Sequence, residues 1–257
     1  GTASGTSEQI EAYKKFVWSH KGFEGTEFKQ ESYHEVPFAK LICKVRNEIV
    51  ALHVDGVNPE YGGNHLQPAE WRAVMESDED YVMIDVRNNY ESKIGHFEGA
   101  ITPDLKNFYD FPEWLSQVDI PKNKKVLMYC TGGIRCEKFS VLMKEQGWED
   151  VNQLHGGILN YAYKEGGEHF KGKCFVFDDR VSVDHTLEKG AYTLCNACRQ
   201  PLSEAELETS SYQPGISCPK CISKTSPKQK ERFKERQKQV KLAQRRGQKH
   251  IGALSKK

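Results

Sequence analysis

Cys130 stands ahead of two glycines and an arginine, a pattern that suits a reactive thiol. The stretch 130–136 reads Cys-Thr-Gly-Gly-Ile-Arg-Cys and lies between the strand-like run 126–129 and a helical pattern over 137–146. The glycines let the backbone curl with its N–H groups pointing inward, and a helix N-terminus adds partial positive charge. Because a thiol beside an arginine at such a place has a lowered pKa, Arg135 favours the thiolate. The sequence predicts a partly exposed, low-pKa nucleophile at Cys130 that can carry a persulfide or another covalent sulfur adduct.

The remaining residues of this loop are expected to shape the site. Thr131, Gly132, Gly133 and Ile134 supply the backbone that surrounds the sulfur, and Cys136 is either a second redox partner or a packing residue. The alternative for Cys130 is a buried free cysteine that packs as a small hydrophobe. A Gly-Gly turn followed by arginine packs poorly but binds anions well, which favours the reactive thiol.

Four further cysteines have the spacing of a metal site. Cys195-x-x-Cys198 and Cys218-x-x-Cys221 form two pairs separated by 19 residues. Two such pairs predict a closed tetrahedral Cys₄ zinc site with a structural role, which would stabilise a small loop-rich module. Disulfides or four independent thiols are the alternatives, and the lack of a secretory context argues against disulfides.

Short apolar strands and amphipathic helices alternate around Cys130. Because this alternation is typical of a parallel sheet with helices on both faces, we predict an α/β domain here. Catalytic groups in such sheets lie beyond the carboxyl ends of the strands, and Cys130 follows a strand directly. The predicted strands are 81–86, 126–130 and 151–154, and the predicted helices are 68–76, 137–147 and 157–164.

Different patterns precede and follow this domain. Ile10, Tyr13 and Val17 recur at helical spacing, and the alternation of Leu41, Cys43 and Val45 with polar residues indicates a half-buried strand with Cys43 in the core. A second strand is predicted over 48–54, and another over 174–177. The expected domains are an α+β unit over 1–58, the sheet domain over 64–168, the zinc module over 171–225 and a basic tail over 226–257.

Charge is distributed unevenly. The chain has a formal net charge of +1, yet residues 224–257 contain 13 Lys/Arg and two Asp/Glu, which is +11, and the preceding residues carry −10. We expect this tail to be a fraying helix or disordered, and to bind nucleic acid through its cations unless it is only a solvated surface. The tail residues proposed to contact nucleic acid are Lys228, Lys230, Arg232, Lys234, Arg236, Lys238, Lys241, Arg245 and Arg246.

Overall composition sets further limits. With 37% hydrophobic residues, a mean hydropathy of −0.70 and no apolar run near the 18 residues of a membrane span, no membrane segment is expected. No signal peptide is visible, so the expected location is the cytoplasm. The sequence contains no flavin, haem or NAD motif, and it does not indicate an oligomeric state.

Several separated motifs resemble the rhodanese domain over about residues 65–166. They are Asp85-x-Arg87, Glu91, Gly95-His96-x-x-Gly99-Ala100 and the Cys130 loop. The resemblance implies that Asp85 and Arg87 tie loops together beneath the active site, and that His96 orders a loop rather than shuttling protons. A loop of six positions from Cys130 to Arg135 resembles the sulfurtransferases of this fold, whereas related phosphatases have a longer loop.

The chain as a whole resembles a narrower family, the bacterial tRNA uridine hydroxylases. This resemblance implies hydroxylation of carbon 5 of the wobble uridine at position 34 by O₂, with tRNA as partner. It also implies a ferredoxin-like N-terminal domain, here without its first strand. The stretches that carry it are Gly1-Thr2 with Gly5, Pro37-Phe38 with Lys40-Leu41, 130–138, Gly156-Gly157-Ile158-Leu159, 174–178 with Arg180-Val181, and 194–199.

These observations lead to a ranked set of hypotheses. The first is a wobble-uridine hydroxylase, an oxidoreductase that acts with O₂, in which Cys130 is the essential thiol and Arg135 stabilises its anion. The second is a sulfurtransferase that moves persulfide sulfur from Cys130 to a thiol or tRNA, and the third is a tRNA-binding protein without catalysis. The expected architecture is α/β: a truncated ferredoxin-like domain, a rhodanese-like parallel sheet covered by helices, a Cys₄ zinc module and a basic tail. The residues alone do not indicate how O₂ would be activated, or whether Cys130 works as persulfide, nucleophile or redox thiol.

Overall fold

The structure is a computed structural model that describes residues 1–34, 36–38 and 41–247. Two compact units divide the chain. One contains residues 1–44 together with the chain from 231 onward, and the other contains residues 45–230. The last part of the predicted basic tail, residues 248–257, lies outside the described residues.

The first unit begins with helix α1 (Ser7–Trp18), as the spacing of Ile10, Tyr13 and Val17 predicts. Thr6 begins this helix because its side chain accepts a hydrogen bond from the backbone N–H of Gln9, whose own side chain bonds back to Thr6. This reciprocal capping satisfies two N–H groups that a helix start otherwise leaves unpaired.

The larger unit carries most of the regular structure. In chain order its elements are β1 (Asn64–Leu66), α2 (Pro68–Met75), β2 (Tyr81–Asp85), α3 (Asn89–Ser92), β3 (Gly95–Phe97), α4 (Phe111–Gln117), β4 (Lys125–Tyr129), α5 (Ile134–Glu145), β5 (Val151–Leu154), α6 (Gly157–Glu165), β6 (Phe170–Gly172), β7 (Cys174–Phe175), β8 (Ser182–Val183), β9 (Thr193–Leu194), β10 (Pro201–Leu202) and α7 (Glu204–Leu207). Short 3₁₀ turns lie at Pro59–Tyr61 and Phe108–Asp110.

A four-stranded parallel sheet in the order β1-β5-β4-β2 forms the centre of this unit. Along β4, Val126 and Met128 belong to one hydrophobic cluster and Leu127 and Tyr129 to another, because successive side chains point to opposite faces. All four are fully buried, so both faces of the sheet are covered. The predicted parallel sheet is therefore confirmed.

Helices pack on each face. Trp71 of α2 and Tyr161 of α6 join the Leu127 side, while Phe111 of α4 and Phe139 of α5 join the Val126 side. Several boundaries differ from the sequence-based prediction, most of them by one residue. Helix α5 begins at Ile134, three residues before the predicted start, so Arg135 and Cys136 lie in its first turn. The strand predicted over 174–177 ends at Phe175.

The strands predicted over 41–45 and 48–54 are not formed in the described residues, so the sheet of the expected ferredoxin-like domain is not formed there. Leu41 is 90% exposed, Val45 is fully exposed and Cys43 is exposed as well, although all three were predicted to face a core. A strand is stable only when its backbone is paired, and the described chain offers these residues no partner strand. Leu52 is instead buried in the cluster that contains Val126.

The basic segment forms helix α8 (Pro227–Arg245), one of the two predicted outcomes. None of its residues is buried, because its sequence lacks an apolar face. Among the described residues, no helix has the length and apolar content needed to cross a lipid bilayer.

Candidate active site

The Cys130 loop joins the carboxyl end of β4 to the start of α5. Gly133 has a φ of 100°, a value that suits glycine, and its backbone N–H donates to Cys130 Sγ at 3.1 Å. Ile134 then begins the helix, so the positive end of the helix dipole also faces the sulfur. The predicted arrangement of backbone and helix start around Cys130 is present.

A second loop, between β5 and α6, holds the first in place. The N–H of Ile158 donates to the carbonyl of Cys130 at 3.0 Å, and the N–H of Leu159 donates to that of Thr131 at 3.2 Å. Gly157 has a φ of 67°, and a Cβ atom there would lie 2.5 Å from the Cys130 carbonyl oxygen. Only glycine therefore permits the two loops to approach this closely.

The exposure predicted for Cys130 is wrong. Its side chain is fully buried and packs in the cluster that also contains Cys136 and Leu52. The sequence pattern describes the loop beneath the sulfur but not the residues that cover it. A substrate can therefore reach this sulfur only when part of its cover moves.

Burial does not keep Cys130 protonated. Burial raises the pKa of its thiol, but the Cys136 thiol, the charge of Arg135 and backbone N–H groups of the loop outweigh it, so the pKa lies well below its usual range. Burial and the neighbouring Cys130 anion raise the pKa of Cys136 well above its usual range. One negative charge is thus placed on Cys130, and Cys136 retains its proton. Cys136 is fully buried in the same cluster, as expected for a packing residue, and it also lowers the pKa of Cys130; its predicted redox role stays a prediction.

Arg135 is paired with Glu91, a partner whose role the sequence analysis did not assign. The guanidinium donates from Nη1 to Oε2 at 2.5 Å and from Nη2 to Oε1 at 3.2 Å, and both side chains are buried. Burial raises the pKa of Glu91, against the effect of Arg135. Burial lowers the pKa of Arg135, but Glu91 and Cys130 raise it by more, so the arginine stays charged. The charge of Arg135 therefore acts on the nearby sulfur, while the hydrogen bonds of its guanidinium to Glu91 hold it in position.

Asp85 and Arg87 form a second buried pair, in the structural position that the resemblance implies. Arg87 donates from Nε to Oδ1 at 2.8 Å and from Nη2 to Oδ2 at 2.6 Å, and Nη2 also donates to the Gly95 carbonyl at 2.6 Å. The hydroxyl of Tyr129 donates to Asp85 at 3.0 Å. These bonds link the ends of β2, β3 and β4 beneath the loop.

Three other predicted residues have distinct surroundings. His96 Nδ1 lies 3.0 Å from the Ser92 carbonyl, an arrangement in which the ring donates and connects β3 to α3, as expected for a loop-ordering histidine. Thr131 is buried, and its hydroxyl has no partner among the described residues. Ile134 is 52% exposed beside the sulfur loop.

A polar cluster that the sequence analysis missed lies at the same edge of the sheet. His65 Nε2 is 3.0 Å from Gln153 Nε2 and 3.5 Å from Glu137 Oε2, and its Nδ1 is 3.5 Å from His155 Nδ1. His155 follows β5, the strand next to β4, and Cys130 directly follows β4. The sequence signal that could have identified this cluster was the pair of histidines, with His65 in β1 and His155 directly after the neighbouring strand β5.

A covering segment, residues 48–54, was also missed. Lys138 of α5 forms an ion pair with Glu48 and donates to the Val50 carbonyl at 3.0 Å. The Glu48 carboxylate accepts from the N–H groups of Leu52 at 3.0 Å and His53 at 3.3 Å. The segment is remote from Cys130 in sequence, so only its apolar residues could have signalled that it joins the core.

The four predicted metal ligands converge. One sulfur each from Cys195, Cys198, Cys218 and Cys221 lies within 4.8 Å of all the others, with 3.7 Å between Cys198 and Cys218 and 3.6 Å between Cys218 and Cys221. Sulfurs bound at about 2.3 Å to a tetrahedral zinc are about 3.8 Å apart. The cysteines therefore fit a zinc ion, and they leave no position open for a substrate.

The predicted nucleic-acid residues lie on or just beyond helix α8. Lys228, Lys230, Arg232, Lys234 and Arg236 belong to its first three turns, and Lys238, Lys241, Arg245 and Arg246 follow. Lys234 pairs with Glu231 at 2.8 Å, and the Arg236 guanidinium lies 4.9 Å from the ring of Phe233. The helix presents cations around its circumference.

Comparison with known proteins identifies the family of the sheet domain. Residues 68–164 match the Rhodanese-like domain family. One similar solved structure is the Alr3790 protein from Anabaena sp., which is 22% identical, with 42% of this chain and 91% of that chain covered and a TM-score of 0.36. Another is a rhodanese-like domain protein from Staphylococcus aureus, which is 20% identical, with 38% of this chain and 90% of that chain covered and a TM-score of 0.34. The fold assignment rests on the family match and not on these low TM-scores.

One curated relative covers almost the whole chain. It is the tRNA uridine(34) hydroxylase of Teredinibacter turnerae, which is 45% identical over 256 residues, 98% of this chain and 79% of that protein. A match of this extent spans the N-terminal helix, the sheet domain and the region of the four cysteines. The chain belongs to the family of tRNA uridine(34) hydroxylases.

Proposed function

We infer that this protein is an enzyme that hydroxylates uridine 34 of tRNA. The observation that carries the conclusion is the 45% identity to a tRNA uridine(34) hydroxylase over 98% of the chain. The rhodanese-like domain supplies a thiolate at the carboxyl end of a parallel strand, where enzymes of this architecture act. A function on tRNA also gives the cytoplasm as the proposed location.

We propose Cys130 as the catalytic group. Its sulfur is an anion held by the Gly133 N–H, and Arg135 and Cys136 lower its pKa. A thiolate can add to carbon 6 of uracil, forming an S–C bond while the displaced π electrons move to carbon 5 and the carbon 4 carbonyl. Carbon 5 then becomes nucleophilic and forms a bond to oxygen. Loss of the carbon 5 proton restores the double bond between carbons 5 and 6, breaks the S–C bond and releases the Cys130 thiolate. O₂ is the proposed co-substrate: one oxygen atom enters the nucleoside, and a two-electron reductant with two protons converts the other to water.

The function is tested with purified protein and a tRNA transcript that carries uridine 34. Incubation with a reductant in air should add the mass of one oxygen atom to this nucleoside. The same mixture without oxygen, or a transcript with cytidine 34, should show no gain. Appearance of a thiolated nucleoside instead would support the sulfurtransferase alternative, and an unmodified nucleoside in air would contradict the hydroxylase.

We further propose that Cys195, Cys198, Cys218 and Cys221 hold a structural zinc ion. The support is their mutual sulfur distances and the small apolar cluster around Leu202, too small to fold a module alone. Metal analysis should find one zinc per chain, lost in Cys198→Ser and retained in Cys43→Ser, whose cysteine is exposed elsewhere. Equal zinc in both variants would contradict the assignment.

A further inference from the structure

Phe177 is a large aromatic side chain that remains open to solvent beside the candidate active site. It lies two residues beyond β7, and 64% of its surface is exposed. Scattered exposed apolar residues are common in proteins and need no explanation on their own. The surroundings of Phe177, however, distinguish it from such residues.

Its neighbours fix the ring in place. The rings of Phe175 and Phe177 meet edge to face, with centroids 5.0 Å apart at 85°. Phe175 is buried and makes a second edge contact with Tyr90 at 5.3 Å. On the other side, Asp178 forms a buried ion pair with Arg180 at 2.8 Å. Phe177 thus packs one edge against a buried ring and precedes a buried ion pair, and both contacts restrict the segment that carries it.

The anchored ring borders the Cys130 loop. Its centroid lies 6.0 Å from the guanidinium carbon of Arg135, in the first turn of α5. Because Arg135 is held by Glu91, the distance from the ring to the loop is set by two fixed groups. The ring is consequently a preformed apolar surface at the margin of the site.

We propose that Phe177 is the platform on which the uracil ring of nucleotide 34 stacks when this nucleotide is presented to Cys130. The inference rests on the proposed hydroxylase function. Proteins recognise unpaired bases of RNA loops by stacking them on exposed aromatic side chains, and such stacking tolerates any base. Phe177 thus holds the base, and the chemistry depends on the sulfur.

Kinetics with single variants gives the first test. Phe177→Leu keeps an apolar side chain but removes the ring, and should lower kcat/KM for tRNA roughly 5- to 100-fold, mainly through KM. Phe177→Tyr should stay within about twofold of wild type, because it keeps the ring. Tyr163→Leu is the matched control, since Tyr163 is 71% exposed on α6. If Phe177→Leu alters the unfolding midpoint, Phe177→Met takes its place.

Binding provides a test that does not depend on catalysis. An anticodon stem-loop with uridine 34 is compared with one that lacks the base at that position. Wild type should prefer the loop with the base, and Phe177→Leu should lose most of this preference. If both proteins preferred the loop with the base equally, or if wild type showed no such preference, the proposed stacking on Phe177 would be contradicted. Absence of hydroxylation by wild type, with the preference intact, would instead refute the proposed function.

Discussion

At the residue scale, the site combines two properties that usually oppose each other. Cys130 is fully buried, which favours the neutral thiol, yet its pKa is lowered. The fixed N–H of Gly133, the Cys136 thiol and the nearby charge of Arg135 replace the water that an exposed thiolate would have. The anion is therefore stabilised by the fold itself and not by solvent.

Titration of the thiols should reveal this anion. Ultraviolet thiolate absorbance that is lost in Cys130→Ser should persist in wild type at pH 7 and disappear only under more acidic conditions. Cys174→Ser is the control, because burial raises the pKa of Cys174 to about 12. Wild type and Cys174→Ser should have the same absorbance at neutral pH, and a Cys130 that titrates near 8.5, the usual thiol value, would contradict the account.

The lowered pKa also has a consequence for stability. An acid whose pKa is lower in the folded chain than in the unfolded chain stabilises the fold when it is ionised. This contribution of Cys130 is complete above the unfolded thiol pKa of about 8.5 and is lost as pH falls through the lowered value. The difference in unfolding free energy between wild type and Cys130→Ser should shrink across that range.

At the element scale, the segment 48–54 is attached to α5 and contributes to the cluster that contains Cys130. Glu48 joins this segment to α5 through Lys138 and receives the N–H groups of Leu52 and His53. The hydrogen bond from Lys138 is the largest cause that lowers the pKa of Glu48, to about 2, so the contact persists at neutral pH. Leu52 then packs in the cluster that contains Cys130.

Loosening this attachment should expose the sulfur. Glu48→Gln removes the charge that binds Lys138, so alkylation of Cys130 by iodoacetamide should become several-fold faster. Asp55→Asn, an exposed position at the end of the same segment, is the control and should leave the rate unchanged. The alkylated residue is identified by mass spectrometry. An unchanged rate in Glu48→Gln would show that the segment does not limit access.

The sequence predicted what depends on neighbouring residues. The strand, glycine turn and helix around Cys130 follow from local patterns, and the four cysteines from their spacing. The sequence-based prediction failed where the structure depends on contacts between residues that are far apart in the chain. Residues 48–54 contribute Leu52 to the cluster that contains Cys130, and the Glu91 that holds Arg135 is 44 positions away. Alternation over 41–45 resembled a strand, but an alternating pattern does not guarantee a partner strand, and none pairs with these residues in the described chain.

At the scale of the whole molecule, the charge asymmetry is concentrated in one helix. Helix α8 contains eight Lys/Arg and two Asp/Glu and buries no residue. A helix with this composition is not held by a core, so its cations remain available for phosphates. We propose that this helix increases the affinity for tRNA without regard to sequence.

Removal of residues 226–257 should therefore weaken tRNA binding and flatten its dependence on salt. Each lost phosphate contact should reduce the slope of log K against log[salt] by roughly 0.7 to 0.9. Removal of residues 248–257 alone, which keeps α8, is the control and should retain most of the slope. Hydroxylation at saturating tRNA should change little, because Cys130 is untouched. An unaltered slope after removal of 226–257 would exclude α8 as a phosphate contact.

The central claim is that Cys130 is the group that modifies uridine 34. Its most direct test is nucleoside analysis of tRNA from cells in which the native gene is replaced by the Cys130→Ser or the Cys43→Ser variant. We expect 5-hydroxyuridine derivatives to be absent with Cys130→Ser and present at wild-type levels with Cys43→Ser. Wild-type levels of these nucleosides with Cys130→Ser would contradict the account.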